Sequence, residues 1–541
     1  MTATSSPYTD IPHSSALLID YLYHYDRVSQ FYHGSPFDPA SFQKVATQLG
    51  AFGAVRREII EVLVRQNQDW DCPEPTRANL QRLREPGTFA VVTGQQVGLF
   101  SGPAFTIYKA LTAVRLAQSL SEQGLPCVPI FWLATEDHDL AEVAEAATFD
   151  EEHNLVPLRD SGDRPSPRSP VGQVRHTVEV VAALDQLEAV LPPGEARAQL
   201  LQDLRECYEP GSTWGRSFAK FMTRLFGRWG VILMDPLDES VHRLSVPIYE
   251  QALARASELR TQILDRTHAL VQRGYHAQVH VAEDSTLIFV ARHGDRVPLH
   301  RRGARYFLDD GAEVSLAQLQ SWLAERPLDF SPNVLMRPLV QDILLPTLAY
   351  VAGPSELAYL GQAQPLYQAF GRPQPVVFPR AAFTLLEARV ERLMEKYKLR
   401  LEDVWQGQDH LSRKIAATSL AEGWSERFDQ GERDLEQLLD RFHADIEQLD
   451  PTLLDTLAHA KEKMKYQMER LRGKLTRAAL GRSELLARHE QTLLRFLLPH
   501  RELQERRVGG VSFLGRKGYE LLDQLLAHIQ THCSDHQAVS Y

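Results

Sequence analysis

Three carboxylates and one imidazole occupy four successive positions in the run Thr135-Glu136-Asp137-His138-Asp139. Groups of these types can ligate Mg²⁺, hold a substrate ammonium or act as a general base. A solvated acidic turn is the alternative interpretation. The run comes directly after the apolar segment 128–134, and ligands of open α/β sheets bind beyond the carboxyl ends of strands. This position favours the functional interpretation.

A second polar group, Thr93-Gly94-Gln95-Gln96, follows the apolar run Phe89–Val92 and precedes a helical segment that opens at Gly102-Pro103. Glycines allow a ligand to approach the backbone, and a helix N-terminus offers N–H donors to an anion. The segment matches neither common phosphate-loop pattern, so a tight turn is the alternative. Two adjacent amide side chains favour a polar ligand.

The elements that carry these groups alternate between strand and helix. A third apolar run, 230–234, also ends in an acid, Asp235, and the segment after Gly102 has apolar residues at helical spacing. Buried strands linked by helices predict a parallel sheet with crossover helices. We therefore expect the polar groups to meet at one edge of this sheet.

The spacing of apolar residues divides the rest of the chain into predicted domains. Residues 271–310 are predicted to form a β-rich insertion, whereas apolar residues recur at helical spacing after Pro379 and at seven-residue steps from Leu457 to Leu485. The predicted domains are a core at 1–384 with insertions at about 155–215 and 265–330, an antiparallel helical coiled coil at 385–505, and a helical tail at 506–541.

Composition narrows the function classes. The 541 residues include 59 Lys and Arg against 70 Asp and Glu, a formal charge of −11, which disfavours a general nucleic-acid or anionic-membrane binder. Four widely spaced cysteines give no disulfide or zinc pattern and favour a reducing cytoplasm. The start of the chain lacks a signal peptide pattern, and no apolar run reaches the roughly 20 residues that cross a bilayer. A cytoplasmic protein is expected.

Five long segments carry a more specific signal than any short pattern. They are 89–110, 129–139, 330–342, 350–359 and 379–387. Together, and in the same order along nearly the whole chain, they closely resemble the bacillithiol synthase family. Departures occur at Ala144-Glu145, Ala352–Ser355 and Ala381-Ala382, which bear on substrate detail rather than on the fold.

The resemblance implies an α/β, Rossmann-like parallel-sheet core similar to class I aminoacyl-tRNA synthetases, with inserted connective subdomains and a C-terminal α-helical coiled coil that forms a homodimer. It implies a ligase that joins the carboxyl group of L-cysteine to the amine of glucosaminyl-malate. Catalytic positions carried over are Glu136, Asp137 and His138. Substrate-binding positions carried over are Thr93, Gly94, Gln95, Gln96, Asp139, Arg337, Gln341, Asp342, Gly353, Glu356, Tyr359 and Arg380.

Amide formation from a carboxylate requires activation, most simply as an acyl-adenylate, so ATP is expected by analogy. The usual ATP motifs of class I synthetases are missing from the sequence, and no residues are assigned to a nucleotide or a metal. Our hypothesis places an anion at Thr93–Gln96, the cysteine ammonium or a metal at the acids around Asp137, and the base that deprotonates the sugar amine at His138.

Two other interpretations remain open at this point. One is a nucleotidyltransferase or tRNA-ligase-like enzyme whose basic helix, 461–474, binds RNA. The other is a non-catalytic scaffold in which the coiled coil is the functional part. Polar groups at three strand ends favour an enzyme with small-molecule substrates, because a scaffold does not need them.

Overall fold

The computed structural model describes residues 3–49, 56–418, 424–481 and 483–541. Residues 1–2 and 50–55 of the predicted core, and residues 419–423 and 482 of the predicted coiled coil, lie outside the described residues. The N-terminal residues Met1 and Thr2, used in the signal-peptide argument, are among them.

Five parallel strands form the central sheet, which confirms the predicted Rossmann-like core. They are β1 (Phe89–Gln95), β2 (Cys127–Leu133), β3 (Ile232–Met234), β4 (Thr347–Ala352) and β5 (Val376–Pro379). Their spatial order is β3-β2-β1-β4-β5. The strands are buried on both faces and therefore almost entirely apolar. The strand order reverses between β1 and β4, and such a point is where open α/β sheets bind ligands.

Three helices border that point. They are α1 (Phe105–Glu122), which links β1 to β2, α2 (Arg337–Leu344), which precedes β4, and α3 (Pro354–Ala369), which links β4 to β5. Gly353 caps α3, and Pro354 occupies its first position, where the missing N–H has no intrahelical partner. The packing is close: a Cβ on Gly94 of β1 would lie 2.9 Å from the carbonyl oxygen of Trp132 on β2.

Two further sheets and one hairpin surround the core. The β-rich insertion is an antiparallel sheet in the order Glu313–Val314, Arg305–Phe307, Asp295–Arg302, Ser285–Arg292 and Phe330–Pro332. A hairpin pairs Glu145–Phe149 with Leu155–Arg159. Because Phe330–Pro332 leads directly into the turn before α2, the insertion reaches the edge of the core sheet.

The remaining helices of residues 3–384 cover the core and the first insertion. They are Ala16–Tyr23, Pro39–Leu49, Arg56–Asp69, Glu74–Arg84, Leu140–Val143, Glu179–Val190, Glu195–Cys207, Trp214–Phe226, Glu239–Ala254, Ala256–Gln272 and Leu316–Glu325. In the described ranges, no helix is long and apolar enough to cross a membrane.

The C-terminal region is helical, and its long hairpin confirms the predicted coiled coil. Ion pairs join Asp429 to Arg472 at 2.8 Å and Asp440 to Lys461, so the two long helices run antiparallel. The helices are Ala388–Lys396, Leu401–Trp405, Gln408–Ala417, Trp424–Asp440, His443–Leu449, Leu454–Gly481 and Glu484–Leu497.

The tail returns to the core. Its helices are Gln504–Arg507, Gly510–Lys517 and Glu520–His528, and it ends in strand His536–Ser540. This strand pairs in parallel with Ala382–Leu386, which follows β5, and antiparallel with Ala3–Ser6. Both ends of the described chain are therefore tied to the same small sheet.

Candidate active site

A cavity of about 450 Å³ lies beyond the carboxyl ends of β1, β2 and β4. Its volume is in the range of small-molecule sites. Ten of the fifteen site residues predicted from the sequence line it: Gly94, Gln95, Gln96, Glu136, Asp137, Arg337, Gly353, Glu356, Tyr359 and Arg380. Residues from four distant parts of the sequence therefore meet at the point where the strand order reverses.

The other five predicted residues do not line this cavity. Thr93 is buried within the sheet, where its hydroxyl donates to the Val351 carbonyl at 2.9 Å. Gln341 and Asp342 lie on α2, behind the cavity wall, and are bonded to each other at 2.8 Å. The side chains of His138 and Asp139 border a separate shallow pocket. Asp139 also caps a short helix by accepting from the Glu142 N–H at 3.3 Å.

A buried lysine joins β1 to α3. Lys109, on α1, has only 1% of its side chain exposed, and its ammonium donates to the Gly94 carbonyl, to Gln95 Oε1 at 3.2 Å and to Glu356 Oε2 at 2.5 Å. Burial lowers the pKa of Lys109, although the nearby carboxylate opposes this effect. The sequence prediction missed Lys109. The available signal was a lysine within the mostly apolar run 107–114 of α1.

Glu356 is the anionic partner of this lysine and is held by several donors. It accepts from the Gly353 N–H at 2.8 Å and from the Tyr350 hydroxyl at 2.7 Å. Burial alone would raise the pKa of Glu356, but the Lys109 ammonium and these hydrogen bonds keep it below its ordinary value. The pair is therefore fully ionic and fixes the start of α3 against β1.

Arg337, the first residue of α2, is half-buried and bonds to uncharged acceptors. Its guanidinium donates to Gln341 Oε1 at 3.0 Å and to the hydroxyls of Tyr350 and Tyr359 at 3.3 and 3.2 Å. Gln341 thus orients an arginine of the cavity wall rather than contacting the cavity itself.

Arg380 connects the cavity to the C-terminal region. Both of its terminal nitrogens bond to the carboxylate of Glu505, at 2.9 and 2.5 Å, and the two side chains are 4% and 2% exposed. The neighbouring Arg506 also lines the cavity. Glu505 and Arg506 were not predicted from the sequence, because only the fold brings the tail to β5.

The β2 side of the cavity is acidic. The Gln96 amide donates to Asp137 Oδ2 and to Glu142 Oε2, both at 2.7 Å. Glu136 is largely buried, and its Oε1 lies 3.5 Å from His242 Nε2. Beneath them, burial raises the pKa of Asp235 to about 6. Carboxylates in a wall of this kind suit an ammonium group of a substrate.

One residue of the β-rich insertion also reaches the cavity. Arg296 lines it from strand Asp295–Arg302, and its guanidinium lies 3.5 Å from His138 Nδ1. In the described part of the chain, no three His, Cys, Asp or Glu side chains converge as a metal site. The acidic run at Thr135–Asp139 therefore has no three-residue ligand set of these types.

Asp342 gives a pH-dependent test of this arrangement. Burial raises its pKa from 3.8 to about 6, against the hydrogen bond that it accepts from Tyr367 at 2.5 Å. A carboxyl whose pKa is higher in the folded chain stabilises the fold below the unfolded pKa, and this contribution is lost as pH rises through about 6. Asp342→Asn does not titrate, so its free energy of unfolding relative to the wild type should rise by about 2 kcal/mol between pH 4 and 7.

Urea unfolding at pH 4, 5, 6 and 7 measures this difference. Asp139→Asn, at an exposed carboxylate, is the matched control and should show little change with pH relative to the wild type. A difference for Asp342→Asn that is constant over the whole range would contradict a raised pKa at this position.

Comparisons with known proteins identify the family of this chain. The family model for the N-terminal Rossmann-like domain of bacillithiol biosynthesis BshC matches residues 3–381, and the model for the C-terminal coiled-coil domain of BshC matches residues 383–541. A Solibacter usitatus protein is 36% identical over 539 residues, with 100% of both chains covered. A Koribacter versatilis protein is 35% identical, with 98% of both chains covered. A Salinibacter ruber protein is 33% identical, with 97% of this chain and 96% of the relative covered. All three carry cysteine ligase BshC as a provisional name. The chain therefore belongs to the bacillithiol biosynthesis BshC family.

Proposed function

We propose that this protein is a ligase that joins the carboxyl group of L-cysteine to the amine of glucosaminyl-malate. The observation that carries the proposal is the division of the cavity into two sides. Glu136 and Asp137 lie at the end of β2, whereas Arg337 lies at the start of α2. An acidic wall suits an amine or ammonium, and an arginine suits a carboxylate. The names of the relatives support a ligase that adds cysteine.

ATP is the proposed activating reagent, because a carboxylate is a poor electrophile at neutral pH. When bound, ATP would supply the leaving group that the cysteine carboxyl lacks. The N-terminus of α3, at Pro354 and Ser355, and the Arg506 guanidinium line the cavity. Helix N–H donors and a guanidinium fit a phosphate, so these groups would hold it.

The attacking sugar amine must lose a proton before it can form the amide bond. Glu136 is the proposed proton acceptor, because its carboxylate lines the cavity, whereas the His138 ring borders a different pocket. Asp137, oriented by the Gln96 amide at 2.7 Å, would hold the substrate ammonium in place. General base catalysis by a positioned side chain typically contributes 10²–10⁴-fold.

Glu136→Gln should therefore lower kcat/KM by about 10²–10⁴-fold without unfolding the protein. The assay supplies L-cysteine, glucosaminyl-malate and ATP, and mass spectrometry detects the thiol conjugate. Glu145→Gln, an exposed residue paired with Arg159 at 2.7 Å, is the control and should retain activity. If His138→Ala loses activity and Glu136→Gln retains it, His138 is the proton acceptor.

Deleting the gene should remove bacillithiol from cells, and unchanged bacillithiol would contradict the proposed reaction.

The protein is further proposed to form a homodimer through the coiled coil. Large apolar side chains of this hairpin, among them Leu438, Met464, Leu471 and Leu475, are 44–49% exposed. Exposed apolar side chains along one pair of helices are typical of an association surface.

All four cysteines are unpaired thiols, which supports a cytoplasmic location.

Replacing Met464 and Leu471 together by glutamate should convert the dimer to a monomer. Light scattering after size-exclusion chromatography measures the mass of each species. Val178→Glu introduces the same charge at an exposed apolar residue in the first insertion, and this control should remain dimeric. A wild-type protein that is monomeric at all concentrations would contradict the proposed dimer.

A further inference from the structure

Besides the exposed Arg506, two buried and two half-buried cations line the cavity, and these four fall into two classes. Lys109 is paired with Glu356, and Arg380 is paired with Glu505. For Arg296 and Arg337, in contrast, no carboxylate of the described residues lies within ion-pair distance of 4.0 Å. Glu136 and Asp137 act on the charge of Arg296, and Glu356 acts on that of Arg337, only from longer range, so neither guanidinium has a direct counter-ion among the described residues.

Arg296 is held on one edge by neutral acceptors. Its Nε donates to the Ser331 hydroxyl at 2.8 Å, its Nη2 donates to the Pro332 carbonyl at 2.6 Å, and its guanidinium stacks on the Phe289 ring at 3.9 Å. Its Nη1 has only the distant contact with His138. The guanidinium is therefore fixed in orientation while one terminal nitrogen remains available to a ligand.

The same short segment positions both arginines. Residues Ser331 and Pro332 bind Arg296, and Arg337 begins α2 five residues later, where its N–H donates to the Asn333 carbonyl at 2.9 Å. The Asn333 side chain stiffens the turn by accepting from the Leu335 and Met336 N–H groups at 3.1 and 2.9 Å. Both guanidinium groups thus belong to one rigid unit at the mouth of the insertion.

We propose that Arg296 and Arg337 form a two-point clamp for a dicarboxylate and that Arg296 is the residue that distinguishes two carboxylates from one. Each carboxylate supplies the direct ion-pair partner that one guanidinium lacks. The identification of this dicarboxylate as the malyl group of the acceptor rests on the proposed function. The clamp itself requires only a ligand with two carboxylates separated by a short carbon chain.

Calorimetric titration of the full-length protein with L-malate and with L-lactate tests the clamp. The two acids share the 2-hydroxy acid unit, but lactate has a methyl group in place of the carboxymethyl group of malate. The wild type should bind malate at least tenfold more tightly, because a charge-assisted hydrogen bond contributes about 1.5–3 kcal/mol, about 10- to 100-fold in affinity. Arg296→Gln should reduce this preference to less than threefold.

Two further variants keep the test independent of folding. Arg296→Lys retains the positive charge but lacks the paired N–H donors of the guanidinium, and should keep an intermediate preference for malate over lactate. Arg302→Gln, on the same strand but exposed and paired with Asp284 at 3.0 Å, should keep the full preference. Thermal unfolding establishes that each variant is folded under the titration conditions.

The clamp is overturned if the wild type binds malate and lactate equally, if it binds neither at 10 mM ligand, or if Arg296→Gln keeps the preference. These outcomes are separate from those of the proposed function. If malate binding depends on the arginine but the protein has no ligase activity, the clamp is supported and the proposed ligase function is contradicted. Ligase activity together with an unchanged preference for malate over lactate in Arg296→Gln supports the ligase and contradicts the clamp.

Discussion

Replacement of Lys109 by methionine is expected to lower the free energy of unfolding by about 3–5 kcal/mol and to abolish amide formation. Methionine preserves most of the apolar stem of the side chain but removes the ammonium. Glu356 then remains a largely buried carboxylate without its counter-ion, and removing one partner of a buried ion pair has this cost. The Gly94 carbonyl and Gln95 also lose their donor, so the wall of the cavity loses its order.

A double variant separates the lost charge from lost packing. Lys109→Met with Glu356→Gln removes both charges and should recover at least half of the lost stability. Lys220→Met, at a lysine whose nearest carboxylate is 4.0 Å away, should change the free energy of unfolding by less than about 0.5 kcal/mol. Urea unfolding measures all four proteins. If the double variant is less stable than Lys109→Met alone, the ion pair is not the source of the effect.

Strands β1, β2 and β3 of the core sheet could be predicted because each is a short apolar run that a polar group follows directly, whereas β4 and β5 were not predicted. Because these strands are buried on both faces, polar and apolar residues do not alternate along them, and the apolar run itself identifies the strand. The position of the strand His536–Ser540 was not predictable in this way. Its pairing with Ala382–Leu386 joins residues more than 150 positions apart, and no local pattern encodes that contact.

The candidate site shows the same limit at the level of side chains. The predicted turn and acidic run are local, and Gln96 and Asp137 do meet at 2.7 Å. Lys109 lies in a mostly apolar segment, Arg296 and Glu505 lie beside other charged residues, and only the fold makes these three neighbours of the cavity. Sequence adjacency also misleads, because successive strand residues face opposite sides of a sheet. Thr93 is therefore buried next to Gly94, which lines the cavity.

Glu505→Gln is expected to have the second large effect, with a loss of about 3–5 kcal/mol in the free energy of unfolding. The substitution keeps the shape of the side chain but leaves the Arg380 guanidinium buried with a neutral partner. Burial alone would raise the pKa of Glu505, and the Arg380 guanidinium holds it below its ordinary value, so the wild-type pair is ionic. Glu505 also accepts from the Phe383 N–H at 3.2 Å.

Because this ion pair joins the tail to the end of β5, its loss should also loosen the C-terminal region from the core. Amide hydrogen exchange should become faster in 382–386 and 504–517 in Glu505→Gln, while β1 and β2 keep their protection. Glu502→Gln, at an exposed residue in the same segment, should show neither change. If exchange in Glu505→Gln rises equally throughout the core sheet, the pair stabilises the whole fold and does not specifically connect the two regions. An increase confined to the two segments would mean that the coiled-coil region reaches the cavity through Arg380, and that Arg506 depends on this contact for its place in the cavity wall.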